Sequence, residues 1–358
     1  MNDSLAPGPL HERYDWLDQA RGLVVLLLVV SMATDKYRGD VVLGDPPLGP
    51  TLMNHGYAYF DGFPAAMTFI DSGHALFMII LGFVGYLAFT SRLKKKGGSV
   101  AFWYGFRRVA VLYFLSAIAH ILLPYFFKGH IEWGHFLYMG AFTVLAFGSM
   151  TSFLSAVLVP NADKRILIPI VLVLIHLMLY AFPIFDRRTP FDNALNLPTF
   201  PFALLGMTAL AITGSCFGQW FRMDPENPSV GFKKRIVPIS TFAFIAAYSL
   251  DWMQPAQHHD VNAAMQLQAL YVCGFMLMAF YAFSQVGFRF SLLSSLGKNL
   301  LLIFAAGGLT IQIYFAMVPK TLLLQSPFLS LVLAGILPIA FVSYVAVALD
   351  RRGIVVRA

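Results

Sequence analysis

Histidine and carboxylate side chains concentrate at one set of segment ends in this chain. Seven of its nine histidines share one side of the topology derived below: His55, His74, His120, His130, His135, His258 and His259. Acidic residues accompany them. Since imidazole titrates near neutral pH, such a set can carry out general acid–base chemistry. The alternative is that these loops are simply polar, and both interpretations stay open.

Asp71 and His74 form the most specific pair in this set. They occur in Asp-Ser-Gly-His-Ala-Leu-Phe, where an apolar segment begins, and a spacing of three places both on one helical face. Ionisable groups at the end of a membrane span are functional candidates, although a carboxylate also stabilises a helix N-terminus. We expect Asp71 to orient a catalytic base, either His74 or His55 from the preceding loop.

A second pair, Asp18 and Arg21, opens the first apolar segment. Residues spaced i,i+3 can form an ion pair on a helix, and a guanidinium suits bidentate contact with phosphate. We therefore predict that Asp18 and Arg21, with Arg107 and Arg108 of a later basic stretch, bind an anionic cofactor. The structural alternative for the first pair is a capped helix start with an interfacial salt bridge.

Motifs of other chemistries do not occur in the sequence. There is no CxxC pair, P-loop, GxGxxG fingerprint or HExxH helix. Cys216 and Cys273 both fall inside apolar segments, where cysteine is typically a small buried hydrophobe. We predict no metal site.

The elements that position these residues are apolar segments of about the length needed to cross a bilayer. The chain is 58% hydrophobic and only 12% charged, with a mean hydropathy of +0.69. A span needs roughly 20 apolar residues, and its backbone must satisfy its own hydrogen bonds, which predicts helices. The predicted spans are 19–34, 73–91, 107–127, 136–159, 166–184, 201–221, 236–251, 264–287, 299–318 and 328–349. The sequence thus predicts an all-α polytopic membrane bundle of about ten helices.

Basic residues predict the orientation of the bundle. Ten spans place both termini on one side, and 19 of the 25 Lys and Arg residues fall in the tails and loops of that side. The positive-inside rule makes that side cytoplasmic. The net charge of +7 then faces anionic lipid, and nucleic acid is not implied. We expect a multi-pass protein of a bacterial inner or plasma membrane.

The domain organisation is predicted to be simple. Residues 1–358 form a single membrane domain with a cytoplasmic tail, residues 1–16. Two longer extracytoplasmic loops, 35–72 and 185–200, are rich in Pro, Gly and aromatic residues.

Several short motifs resemble the transmembrane acyltransferase superfamily, which includes heparan-α-glucosaminide N-acetyltransferase-like and acyltransferase 3-like proteins. Leu-Asp-x-x-Arg-Gly at 17–22 resembles the family's opening motif, and 68–82 its Thr-x-x-Asp segment with the apolar span that follows. Arg-Arg at 107–108, Phe-Pro at 200–201 and Leu-Gly-Lys-Asn at 296–299 resemble later motifs in the same order.

The resemblance implies acyl transfer, most often of acetyl from acetyl-CoA, to a sugar or similar acceptor outside the membrane. It implies that Asp71 corresponds to the family's Asp, and Asp18 and Arg21 to its opening motif. Three features depart from the pattern. The late-span His often found after Leu-Gly-x-Asn is absent, since Gly307 and Gly308 lie in that stretch. Met32 stands where relatives place a polar group, and Asp61 stands where the catalytic His is expected.

Three functions from different classes therefore remain. The first is a membrane acyltransferase using cytoplasmic acyl-CoA and an extracytoplasmic small-molecule or glycan acceptor. The second is a catalytically silent relative that assembles with other membrane subunits or with a second copy. The third is a small-molecule transporter, for which inverted repeats would be expected and are not found in the sequence.

Overall fold

A computed structural model describes residues 14–35, 72–129, 141–181, 202–224, 226–253, 261–318 and 331–355, with residues 256, 321 and 329. All regular structure in these ranges is helical, so the predicted all-α class is confirmed. The helices are α1 (Asp15–Asp35), α2 (Ser72–Lys128), α3 (Ala141–Leu158), α4 (Ala162–Arg165), α5 (Leu167–Ala181), α6 (Phe202–Phe221), α7 (Val237–Asp251), α8 (Ala263–Gln285), α9 (Ser291–Lys298), α10 (Leu300–Met317) and α11 (Leu337–Arg351). A helical turn, Ser229–Gly231, and a π-helical turn, Phe232–Ile236, precede α7, and another π-helical turn, Leu331–Ile336, precedes α11.

Helix α2 differs from the sequence prediction. Residues 92–106 were expected to form a cytoplasmic loop between two spans, but they are helical on both sides of Gly97. Gly97 breaks the helix with φ 81° and ψ 173°, a conformation that glycine adopts without the cost of a Cβ atom. The chain therefore changes direction at a single residue, Gly97, where the sequence predicted a loop.

Helix is present in the described part of each predicted span, but fewer segments meet a strict criterion for membrane crossing. By length and composition three described segments qualify, Ser72–Leu115, Leu204–Phe221 and Ala263–Gln285. A fourth qualifies if α9 and α10, bent by 88° around Asn299, make one span. The helical segments hint at a membrane protein.

The chain divides into two compact units. The first contains the described residues within 78–271. Its helices α2 and α6 meet through small residues. A Cβ atom on Gly82 would lie 1.9 Å from the carbonyl oxygen of Ala211, and one on Gly214 would lie 1.9 Å from that of Ile79. Glycine at both positions lets the two backbones touch, which is a frequent device between membrane helices.

The second unit contains the described residues within 11–77 and 272–358. Here α1 packs against α9, α10 and α11, and α9 also packs against α11. A Cβ atom on Gly22 of α1 would lie 1.8 Å from the carbonyl oxygen of Leu293 in α9. The start of α1 and the whole of α9 therefore form a closely packed pair.

Candidate functional site

The predicted acid–base residues are only partly covered by the structure. His55, Asp61 and Asp71 lie outside the described residues. His74 lies in the first turn of α2 and is partly exposed. Met32 lies in α1, but its side chain is not among those that the structure describes. The pairing of Asp71 with His55 or His74 therefore stays a prediction.

Asp18 and Arg21 form the ion pair that their spacing predicts. Arg21 Nη1 donates to Asp18 Oδ1 at 2.8 Å, and the Asp18 side chain is only 3% exposed while that of Arg21 is 23% exposed. A carboxylate at this distance offsets much of the guanidinium charge. An incoming phosphate at Arg21 would therefore have to compete with, or share, the contact to Asp18.

Asp15 joins the start of α1 to α9. Its carboxylate accepts hydrogen bonds from Ser294 at 2.6 Å and Gln19 at 2.8 Å, and it pairs with Arg289 Nε at 2.9 Å. The Gln19 side chain in turn accepts from the backbone N–H of Phe290 at 3.0 Å. Because Phe290 is the N-cap residue of α9, this contact satisfies a donor that the helix itself leaves free.

The Leu-Gly-Lys-Asn motif also joins helix ends through an ion pair and hydrogen bonds. Lys298 Nζ pairs with Asp350 at 2.6 Å, and Ser295 donates to the other oxygen of Asp350 at 2.7 Å. Asn299 donates to the carbonyl oxygen of Ile354 at 2.9 Å. The polar residues of this motif thus attach the end of α11 to α9.

A cavity of about 40 Å³ in the first unit is lined by residues of α2 and α3, and Arg108 is one of them. This volume is enough for a water molecule or a small polar group. The hydroxyl-bearing residues of its lining are Tyr86, Tyr104, Ser149 and Ser152. We call this the Arg108 cavity.

Two polar atoms in the Arg108 cavity are buried without a hydrogen-bond partner: Nε of Arg108 and Oγ of Ser149. Leaving a buried polar atom unpaired typically costs about 1–3 kcal/mol. Such atoms therefore indicate a place where a ligand or water can bind. The structure brings Arg108 to this cavity, whereas Arg107 on the same helix is exposed and is not part of the lining.

Arg92 adds a second positive charge beside the Arg108 cavity. Its guanidinium lies 3.3 Å from the ring centroid of Tyr104, a cation–π contact, and donates to the carbonyl oxygen of Ala88 at 3.2 Å. Among the described residues neither Arg92 nor Arg108 has a carboxylate partner. Two guanidinium groups beside hydroxyls, with no carboxylate partner in the described part of the chain, can bind an anion such as phosphate.

Arg165 is a buried cation that the sequence does not reveal, because it falls in the predicted loop between spans 136–159 and 166–184. It is 0% exposed. Its guanidinium donates to Val159 O at 2.9 Å, Ser215 O at 3.1 Å and Gln219 Oε1 at 2.9 Å. Arg165 thereby ties the end of α3 to α6, and no sequence signal distinguishes it from its exposed neighbour Lys164.

Asp163 adds a further link between the short helix α4 and its neighbours. It accepts from the Trp220 indole at 2.8 Å and pairs with Arg235 at 3.1 Å. These contacts position the cytoplasmic end predicted for α6.

No group of three or more His, Cys, Asp or Glu side chains in the described ranges is arranged to hold a metal ion. No model of a known protein family matches the chain. Comparison with curated proteins likewise finds no significant match. The likeness to transmembrane acyltransferases therefore rests on the short motifs alone.

Proposed function

We propose that this protein is a multi-pass membrane acyltransferase that moves an acyl group from cytoplasmic acyl-CoA, most simply acetyl-CoA, to an extracytoplasmic acceptor such as a sugar. The observation that carries the proposal is the Arg108 cavity, where Arg108 Nε and Ser149 Oγ are buried without partners and no described carboxylate balances the charge. An acyl-CoA donor carries phosphates that such a site suits.

The membrane topology proposed with this function has ten spans and both termini in the cytoplasm. It is supported by helix in the described part of each predicted span. It is also supported by the 19 basic residues assigned to one side. In that topology the kink at Gly97, with Arg92 and Arg108 on its two arms, faces the cytoplasm, where acyl-CoA is available.

The chemistry we propose is proton abstraction followed by acyl transfer. His55 or His74, oriented by Asp71, removes the proton from the acceptor hydroxyl. The hydroxyl oxygen attacks the thioester carbonyl, the carbon–sulfur bond breaks, and the CoA thiolate leaves and takes up a proton. A positioned general base contributes about 10²- to 10⁴-fold to such a step.

Donor binding is the decisive experiment. Titration calorimetry of the detergent-purified protein with acetyl-CoA should show binding, and Arg108→Gln should weaken it about 10- to 100-fold, the usual value of a charge-assisted hydrogen bond. Arg107→Gln is the matched control, because Arg107 is the exposed neighbour on the same helix. Equal losses in both variants, or unchanged binding by Arg108→Gln, would contradict the proposed donor site.

A catalytically silent subunit is the second candidate function, and specific contacts favour it. Asp18 holds Arg21, and Lys298 and Asn299 are engaged by Asp350 and Ile354. The polar residues of both motifs thus serve packing, and Met32 adds no polar group to α1. If the protein binds no acyl-CoA and co-purifies with other membrane subunits in a fixed ratio, this function replaces the first.

A further inference from the structure

An open groove of about 460 Å³ follows the surface of α11 in the second unit. Its wall is formed by Leu292 of α9 together with Ala340, Tyr344 and Val347 of α11. Tyr344 is 72% exposed, although it lies on an apolar helix. An apolar groove along the predicted last span, open to the surroundings, has the surface character that an acyl chain requires.

Two arginines close the predicted cytoplasmic end of this groove. Arg351 and Arg352 both line it, and both are exposed. Among the described residues neither has an ion-pair partner. The nearest carboxylate in sequence, Asp350, is already engaged by Lys298 at 2.6 Å and Ser295 at 2.7 Å. The charge at this end of the groove is therefore not balanced by Asp350.

We infer that the α11 groove is a binding site for an anionic phospholipid, with the phosphate between Arg351 and Arg352 and one acyl chain along Ala340, Tyr344 and Val347. The charge complementarity selects an anionic headgroup, and the apolar wall selects a lipid over a soluble phosphate. The anionic cytoplasmic leaflet attracts each nearby arginine by about fivefold in affinity. Tyr344 lies seven residues before Arg351, and tyrosine is enriched at the interface between acyl chains and headgroups.

The site is held in a fixed geometry by contacts already described. Asp350 attaches the end of α11 to Lys298 of α9, so Leu292 and the two arginines belong to one packed pair of helices. Beyond α11 the chain turns at Gly353, with φ 68°, and Asn299 holds the carbonyl oxygen of Ile354. The inference rests on the proposed membrane location of α11 but not on acyl transfer.

Native mass spectrometry of the detergent-purified full chain tests the site. Dioleoylphosphatidylglycerol should bind, and dioleoylphosphatidylcholine should bind at least tenfold more weakly. The double variant Arg351→Gln/Arg352→Gln should lose on the order of 30-fold in affinity for the anionic lipid, from two arginines. Lys233→Gln/Lys234→Gln is the control pair, because these exposed lysines carry the same charge elsewhere.

A groove-filling variant, Ala340→Trp, should also weaken lipid binding, and inorganic phosphate at millimolar concentration should not displace the lipid. Equal binding of the two lipids would overturn the inference. So would wild-type affinity in the arginine variant or in Ala340→Trp, or an equal loss in the lysine control. Displacement by phosphate would indicate a site for free phosphate instead. None of these outcomes depends on acyl-CoA binding, so failure here is distinguishable from failure of the proposed enzyme.

Discussion

Gly297 of α9 lies directly against the backbone of Asp18 in α1: a Cβ atom at Gly297 would be 1.7 Å from the Asp18 carbonyl oxygen and 2.9 Å from the backbone nitrogen of Gly22. The two residues belong to the two motifs, Leu-Asp-x-x-Arg-Gly and Leu-Gly-Lys-Asn, that are farthest apart in the chain. The motifs are therefore complementary surfaces of one helix–helix contact. This contact explains why each motif contains a glycine.

Replacing Gly297 with alanine should destabilise the second unit by about 1–3 kcal/mol, because the added methyl group must displace backbone atoms. Cys273 is fully buried in this unit and can report unfolding through its labelling by a thiol reagent as temperature rises. We expect Cys273 to become reactive at a lower temperature in Gly297→Ala than in the wild type.

The matched control is Gly307→Ala in α10. A Cβ atom at Gly307 would lie 3.4 Å from Cγ1 of Val342, which is an ordinary van der Waals contact. This variant should label like the wild type, since alanine also favours a helix over glycine. Equal labelling temperatures for the two variants would show that the contact with Asp18 is not tight in solution.

Arg165 and Lys164 provide a second matched pair, in the first unit. Arg165→Met leaves three acceptors without their donor, Ser215 O buried and the other two part-buried, and should cost about 2–4 kcal/mol of stability. Lys164→Met, at the exposed neighbouring position, should change stability by no more than about 0.5 kcal/mol. Labelling of buried Cys216 during heating measures both. If the two variants unfold alike, the hydrogen bonds of Arg165 to α6 do not stabilise the unit.

Arg165→Lys distinguishes charge from geometry at the same position. Lysine keeps the positive charge, but its ammonium group cannot reach Val159, Ser215 and Gln219 with the planar fork of arginine. We expect Arg165→Lys to be destabilised nearly as much as Arg165→Met. If Arg165→Lys is as stable as the wild type, the positive charge alone accounts for the stabilisation by Arg165.

The helices could be predicted from the sequence because hydropathy and backbone hydrogen bonding act locally. The kink of α2 could not, because the choice between a loop and a helix with one break depends on a single glycine, Gly97. The sequence also could not predict which cationic side chains are buried. Arg165 and Lys164 are adjacent and chemically similar, yet only packing against α6 decides that Arg165 is buried.

Of the candidate site, likewise, only the features that depend on local sequence could be predicted. The spacing of Asp18 and Arg21 is a local property, and the ion pair is present. The sequence could not distinguish Arg107 from Arg108, because it does not show which of the two side chains lies beside α3. Tyr86 and Ser149 carried no signal at all, since the Arg108 cavity joins residues more than 60 positions apart.

The topology can be tested with the two native cysteines in place, because both are buried. A membrane-impermeant maleimide applied to intact cells should not label Lys234→Cys, which lies on the predicted cytoplasmic side. It should label Arg188→Cys, which lies in the predicted outer loop. Both variants should be labelled after the cells are permeabilised. Labelling of Lys234→Cys in intact cells would invert the proposed orientation.

The acid–base proposal makes the last prediction. Since Met32 offers only a weakly accepting thioether, acyl transfer must depend on the imidazoles of the outer loop and the start of α2. His55→Ala or His74→Ala should lower the acyl-transfer rate by about 10²- to 10⁴-fold. Binding of acetyl-CoA should stay unchanged, because the base acts on the acceptor. His11→Ala, in the predicted cytoplasmic tail, is the control and should keep the wild-type rate. An unchanged rate in the double variant His55→Ala/His74→Ala would remove both residues from the mechanism.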